Sequence, residues 1–404
     1  MNIFEPANMG TVRLKNRIIR SATFEGMGNE EGLPGFLYKK MYVNLARNGV
    51  GGIITGFNFV SEEGKAMQPG QTGLASALSI PYFREVVNGV HQYDCKIFAQ
   101  LAHTGRQTRS SDTGKPVVGA SEKKSMYFKS KPRKLTTEEV CGIINKFALA
   151  ALHAKQAGFD GIQLHAAHGY LIHQFLLPCI NNRKDIFAVD PTTEIGTKFL
   201  DIIIDKIREQ CGWDYPILIK ISGSDDYGKN SFSANQFIRL INFLNEKKVD
   251  GIEISYGTMD QALNIIRGQI PTDIILNHNP VYNTNKKLNR WLLKNIIFPT
   301  VKKRLKPFAP MYNLQYAKEA KKHTRIPIIS VGGYRSSRDI KYVIKNGNAD
   351  FVSMSRTFIC EPDFVEKMKL NENYISKCVN CNYCTVMCDT NNPTKCRYLV
   401  NGTV

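Results

Sequence analysis

The chain has 404 residues, 43% of them hydrophobic, and carries 54 Lys and Arg against 35 Asp and Glu, a formal net charge of +19. That length fits one (β/α)8 barrel with insertions or two doubly wound domains, and is too long for one ordinary small domain. No apolar run approaches the roughly 20 residues of a membrane helix, the opening ten residues lack the basic-then-apolar profile of a secretory signal, and the basic runs 123–134 and 286–306 carry no recognisable nucleic-acid motif. A solvated basic face is the first reading of the charge, and attraction of an anionic substrate the second.

Along the chain, short apolar runs rich in Val, Ile and Phe recur at 17–22, 52–56, 96–101, 161–165, 217–222, 251–256, 326–331 and 351–355. Continuous rather than alternating apolar runs suit parallel strands covered on both faces. Between them, segments such as 136–157, 197–211, 233–248 and 337–346 have helical spacing. Thr136 with Glu139 places a hydroxyl and an acid where a helix start wants them. Gly158 and Gly347 stand where helices would end. Eight strand–helix alternations predict an α/β fold, a closed (β/α)8 TIM barrel over residues 1–365, followed by a short C-terminal Cys-rich extension over 366–404. No Gly-x-Gly-x-x-Gly turn follows the first strand, which argues against a doubly wound sheet. The longest irregular stretch, 267–310 after the sixth strand, is basic and carries Tyr282, Trp291, Phe298 and Phe308. It reads either as a lid over the barrel mouth or as a surface insertion packed on itself.

Barrel enzymes work at the carboxyl ends of their strands. There the third strand presents Gln100, the fourth His165, His168 and Tyr170, the fifth Lys220, the seventh Gly332 and Gly333, and the eighth Ser355 and Arg356. An amide such as Gln100 donates and accepts, which suits the pyrimidine edge of a flavin. A cation such as Lys220 stabilises negative charge near flavin N1. Two glycines and an Arg make a phosphate cradle. Paired imidazoles can meet one carbonyl oxygen, and a nearby phenol can deliver a proton. A zinc site on His165 and His168 lacks an evident third ligand.

The order of these segments resembles the Old Yellow Enzyme family of FMN-dependent NAD(P)H:flavin oxidoreductases over nearly the whole chain. The segments that carry it are 14–23, 100–107, 158–176 with 181–185, 326–333 and 349–362. The resemblance implies FMN bound by Ser21, Ala22, Gly56, Gln100, Lys220, Gly332, Gly333, Ser355 and Arg356. It implies catalytic His165 and His168 on the substrate's electron-withdrawing oxygen and Tyr170 as the acid, with hydride from NAD(P)H passing by way of FMN to an activated alkene. Two departures stand out. Phe24 follows Ala22 and Thr23 where many members place a residue able to hydrogen-bond the flavin, and Lys220 stands where many use Arg. An amine or N-methyl dehydrogenase is the alternative enzyme reading, and a basic, metal-binding protein that contacts nucleic acid is the non-enzymatic one.

Five of the ten cysteines (Cys95, Cys141, Cys179, Cys211 and Cys360) lie scattered in apolar segments, and five crowd into 378–396. This pattern reads as a reducing, cytoplasmic compartment with a metal site. Three thiols at two-residue gaps with a distant fourth suit a [4Fe–4S] cluster, and zinc accepts four thiolates too. The spacing resembles that of the larger iron–sulfur members of the family, such as 2,4-dienoyl-CoA reductase and trimethylamine dehydrogenase. That likeness implies Cys378, Cys381, Cys384 and Cys396 as metal ligands, with Cys388 spare or replacing Cys384 or Cys396. Those members continue into FAD- and NAD-binding domains, whereas this chain stops at Val404, so an electron-transfer protein partner or a structural cluster is expected. The remaining expected partner is a small-molecule activated alkene. Nucleic acid and membrane are not expected, and homo-oligomerisation is left open.

Overall fold

Eight of the apolar runs become strands because each is buried twice, against the barrel interior and against a helix. They are β1 (Ile18–Arg20), β2 (Gly52–Phe59), β3 (Lys96–Ala102), β4 (Gly161–Ala166), β5 (Ile217–Ser222), β6 (Gly251–Ser255), β7 (Ile328–Val331) and β8 (Phe351–Met354). Each pairs in parallel with the next, β8 pairs with β1, and the sheet closes. The chain is seen here as a computed structural model that describes residues 2–400. Residues 1 and 401–404, the ends of the two expected segments, lie outside it.

The helices α1 (Phe36–Arg47), α2 (Ile80–His91), α3 (Thr137–Ala157), α4 (Lys198–Cys211), α5 (Ala234–Glu246), α6 (Leu314–His323), α7 (Ser337–Lys345) and α8 (Phe364–Leu370) surround the sheet. Their starts are written locally. Thr136 and Glu139 form a reciprocal capping box on α3, Ser233 and Gln236 do the same for α5, and α3 ends on Gly158 at φ +94°.

An N-terminal hairpin, Ala7–Met9 with Val12–Leu14, closes the barrel floor. Met9 and Leu14 pack there with Ile19, Ile54, Phe98, Leu218, Ile329 and Phe351. Above this apolar layer the interior turns polar, with Ser21, Gln100, Gln163, Lys220, Glu253 and Ser353 all buried. The barrel therefore has a dry base and a hydrogen-bonded upper deck, which sets the chemistry at its open end.

The irregular stretch 267–310 contains helices Thr272–His278, Lys287–Leu292 and Phe298–Arg304, with a π-type turn Leu293–Ile297 between the last two. Ile275, Leu276 and Phe298 form a small core with Val386 of the Cys-rich segment. That segment is tied back to the barrel by Glu361, which accepts from Tyr374 (2.5 Å), Ser376 (2.7 Å) and the Lys377 amide (2.6 Å). Among the described residues no helix is long and apolar enough to cross a membrane.

Candidate active site

The upper deck is one buried network. In the barrel register Lys220 faces Glu253 on one side and His165 on the other. Glu253 is fully buried and meets the Lys220 ammonium at 3.1 Å. It also accepts from Ser21 Oγ (2.6 Å), Ser353 Oγ (2.6 Å) and Gln163 Nε2 (3.0 Å). Burial alone would push this carboxyl up, but the Lys220 charge and these three hydrogen bonds outweigh it and hold it below the usual range. Gln100 Nε2 donates to Gln163 Oε1 at 2.7 Å, and Lys220 Nζ reaches Ser21 Oγ at 3.2 Å.

Over this deck opens a cavity of about 670 Å³. Ser21, Ala22, Gln100, His165, His168, Tyr170, Lys220, Gly332, Ser355 and Arg356 all line it. The fourth-strand set is therefore brought together. His165 and His168 lie edge to face with ring centroids 4.9 Å apart, and Tyr170 is 4.6 Å from His165. His168 takes φ +61°, unusual for a residue with a side chain, and its Nε2 meets Ser255 Oγ at 2.8 Å. His165 Nδ1 accepts from the Ala167 amide at 3.3 Å, which assigns its ring proton to Nε2. Burial first, then the positive charge of Lys220, holds the His165 imidazole well below its usual range. His168 is lowered by burial, by His165 and by Lys220. Both rings are neutral and each offers one N–H. Burial and Asp389 push the Tyr170 phenol up, so it keeps its proton.

At the far end, Gly332 and Gly333 adopt φ +123° and +83°, and a side chain at Gly333 would meet the Ala309 carbonyl at 2.6 Å. A second cavity of about 60 Å³ lies there, bounded by Gly332, Gly333, Ser355 and Arg356. A planar ligand with a polar edge and an anionic end matches this arrangement: amide and ammonium under one end, small backbone-lined cavity at the other. The residues present fit FMN.

Two expected cofactor residues sit differently. Gly56 lies at the register shift of β2, its amide on the Glu25 carboxylate (2.5 Å) and the Tyr42 hydroxyl (3.1 Å), and it does not line the cavity. The Arg356 guanidinium is engaged by the carbonyls of Ile266 (2.5 Å) and Arg267 (2.8 Å) and by Asn382 (2.6 Å), so it staples the insertion to the Cys-rich segment.

The sequence reading missed Glu253 and Gln163, which lie mid-strand, and Asp389, which lines the main cavity from the Cys-rich segment. Asp389 accepts from Gln68 (2.8 Å) and Asn279 (2.6 Å), and burial pushes it up to about 6. Strand alternation was the available signal for Glu253, since Ile252 and Ile254 must point away from whatever Glu253 faces.

Cys378, Cys381, Cys384 and Cys396, joined by Cys360, bound one small cavity of about 20 Å³. Cys388 lies apart from that cavity and lines the main one instead, its thiol on the Cys384 carbonyl and Thr394 at 3.3 Å each. Among the described residues no disulfide is present, and no three His, Cys, Asp or Glu converge as they would on a single metal ion.

Fold and strand-end chemistry together define an oxidoreductase barrel of the flavin type. The NADH:flavin oxidoreductase / NADH oxidase family model matches residues 2–287 and 265–374, and the chain belongs to that family. It is 31% identical over 391 residues to an NADH oxidase of Thermoanaerobacter brockii, covering 94% of this chain and 53% of that protein. A metal reductase of Desulforamulus reducens is 29% identical over 94% of this chain and 50% of its own length. The chain thus spans about half the length of these two relatives. An NADPH dehydrogenase of Clostridium acetobutylicum is 27% identical over 90% of this chain and 94% of its own. Among solved structures, a 2-naphthoyl-CoA reductase in complex with 2-naphthoyl-CoA superposes with a TM-score of 0.80 at 21% identity, over 96% of this chain and 56% of that one, and so shares the fold.

Two outcomes follow from the buried charges. Glu253→Ala leaves the Lys220 ammonium uncompensated and is expected to lower stability by about 3–5 kcal/mol in denaturant titration, with Lys220→Met in the same chain restoring most of it. The second concerns pH. Burial holds His165 and His168 well below 6.5, His103 at about 4 and His173 at about 3. Their unfolded counterparts protonate near 6.5, so unfolding takes up protons and stability falls as pH drops below that value, by about 1.4 kcal/mol per pH unit for each. The His165→Asn/His168→Asn variant is expected to have a visibly shallower fall between pH 6 and 5. An unchanged slope contradicts neutral burial of these rings.

Proposed function

We propose that this chain is an FMN-dependent ene-reductase, taking hydride from NAD(P)H or electrons from a partner protein and reducing a C=C bond conjugated to a carbonyl. The observation that carries the reading is the grouping of two neutral imidazoles and a protonated phenol in one cavity directly over the Lys220–Glu253 pair. Gln100, Lys220, Ser21 and Ala22 would hold the flavin ring, and Gly332, Gly333, Ser355 and the Arg356 backbone its phosphate. FMN, when bound, supplies two-electron transfer between a nicotinamide and the alkene.

The chain's own residues do the rest. His165 and His168 hold the substrate carbonyl oxygen by their single N–H groups, and the negative charge that develops there as the β-carbon is reduced is stabilised in a dry pocket. Because burial, aided by the Lys220 charge, keeps the imidazoles neutral, they donate hydrogen bonds without binding the oxygen as cations. Tyr170 makes no hydrogen bond through its hydroxyl among the described residues, so its proton is available to the α-carbon. Phe57 lies 5.5 Å from Tyr170 and 5.7 Å from Phe24, and these rings exclude water from the same wall.

The chemistry of the thiol-lined cavity supports a [4Fe–4S] cluster on Cys378, Cys381, Cys384 and Cys396. Four soft donors spread around a cavity suit a multi-iron cluster better than one ion. Cys384 borders both the thiol cavity and the main cavity, which supports electron exchange between the two sites.

Two measurements check these readings. In stopped flow, NADPH should bleach the yellow protein and 2-cyclohexenone should restore its colour, with Tyr170→Phe slowing only the second phase by about 10²–10⁴-fold. Equal slowing of both phases, or none, contradicts Tyr170 as the acid. Anaerobically purified protein should contain iron and acid-labile sulfide, lost in Cys381→Ser, whereas zinc without sulfide contradicts the cluster.

A further inference from the structure

The insertion after the sixth strand carries an apolar side that its own barrel leaves in water. Lys287–Leu292, the π-type turn Leu293–Ile297 and Phe298–Arg304 form one helical run, with helical backbone at both joins. Pro299 lacks the N–H that the Asn295 carbonyl would take in an ordinary helix, and the wider turn before it accommodates that loss.

This run is apolar on two sides. Leu293 and Phe298 face inward onto the small core of Ile275, Leu276 and Val386. Leu288, Trp291 and Ile296 face outward and are 69%, 56% and 50% exposed. A helix buries one apolar stripe in its own domain, so a second stripe marks a surface for something else. Ile297 and Val301, together with Met126 of the 123–134 run, are exposed and also line the main cavity. The outward apolar side therefore runs up to the cavity's lip.

The charge beside it is of one sign. No Asp or Glu occurs from Ile274 to Pro310, and the run carries Lys287, Arg290, Lys294, Lys302, Lys303 and Arg304. Arg290 and Lys294 are turned to the protein, on the Leu276 carbonyl (3.1 Å) and Asp273 (2.9 Å). Lys287, Lys302, Lys303 and Arg304 are exposed and make no side-chain hydrogen bond or ion pair among the described residues. A second copy of the chain would bring the same unpaired cations against these, and they would repel. A folded partner seated here would cap the cavity's lip. An anionic lipid surface takes the apolar side chains into its acyl boundary, pairs its headgroups with the cations and leaves the lip open to molecules dissolved in the bilayer. Such a helix lies on the surface and needs no spanning length, which no helix among the described residues has.

We propose that helix 287–304 docks this protein on an anionic membrane surface with the cavity's lip turned toward the lipid. An apolar ligand then enters from the bilayer rather than from water. The inference goes beyond the ene-reductase reading and stands independently of it.

The test uses the flavin-loaded 404-residue chain and vesicles of phosphatidylcholine with or without about 30% phosphatidylglycerol. The chain has two tryptophans, and Trp213 lies between α4 and β5, at the amino end of the strand and so away from the cavity. In Trp213→Phe, Trp291 alone reports. Docking predicts cosedimentation with the anionic vesicles, a blue shift of Trp291 emission and its quenching by lipids brominated on their acyl chains. It predicts binding weaker by about tenfold or more for neutral vesicles, for Lys302→Glu/Lys303→Glu and for Trp291→Glu/Ile296→Glu. All four substituted side chains are exposed, and circular dichroism checks that each variant is folded. Binding without Trp291 quenching is adsorption by charge alone and overturns the proposal. Absence of vesicle binding overturns it too and leaves the face to a protein partner. Self-association without lipid that Trp291→Glu/Ile296→Glu abolishes assigns the face to a second copy, and overturns it equally.

Discussion

The Lys220–Glu253 pair is the constraint on which the upper half of the barrel is built. Two opposite charges buried this deeply are costly to desolvate, and they are tolerated only where further hydrogen bonds complete their shells. Ser21 from β1's end, Gln163 from β4 and Ser353 from β8 do so for Glu253, so four strands are held in mutual register by one carboxylate. The same pair adds to the charge state of its neighbours. Burial does most to suppress protonation of His165 and His168, and the Lys220 charge reinforces it, while Glu253 holds that ammonium beneath the cavity floor.

Above this deck the pocket is completed by elements remote in sequence. The insertion supplies an apolar outer wall, and the Cys-rich segment supplies Cys384, Thr385, Val386, Cys388 and Asp389. Arg356 connects the two through Ile266, Arg267 and Asn382. The thiol-lined cavity is therefore a continuation of the active-site wall, and any change in its occupancy acts on the same backbone that shapes the pocket.

Much of this was legible in the sequence where the signal was local. Continuous apolar runs placed all eight strands to within a few residues, since a strand buried on both faces is mostly apolar, with polar side chains such as Gln163 and Glu253 taken up by the hydrogen-bonded upper deck. Thr136, Glu139 and Gly158 marked the two ends of α3 because capping is a short-range interaction. That polar residues at the strand ends, among them Gln100, His165, His168, Tyr170 and Lys220, would line one cavity was legible through their order along the chain. What was not legible depended on tertiary partners. Glu253 looks like any isolated acid until β5 lies beside it. Arg356 reads as a phosphate cation until three carbonyl groups claim it. Gly56 reads as a flavin contact until Glu25 and Tyr42 occupy its amide. The helices of 267–310 were hidden because their apolar stripe, with Ile275 and Phe298, is completed only by Val386 from the far end of the chain. Asp389 was masked by the thiols around it.

The most direct test of the central claim is a crystal structure of the protein grown with FMN. The account predicts planar density over the Lys220–Glu253 pair, its polar edge on Gln100 and Lys220, the phosphate at Gly332, Gly333 and Ser355, and open space between the ring and His165, His168 and Tyr170. Density elsewhere, or a deck left uncovered at saturating FMN, contradicts it.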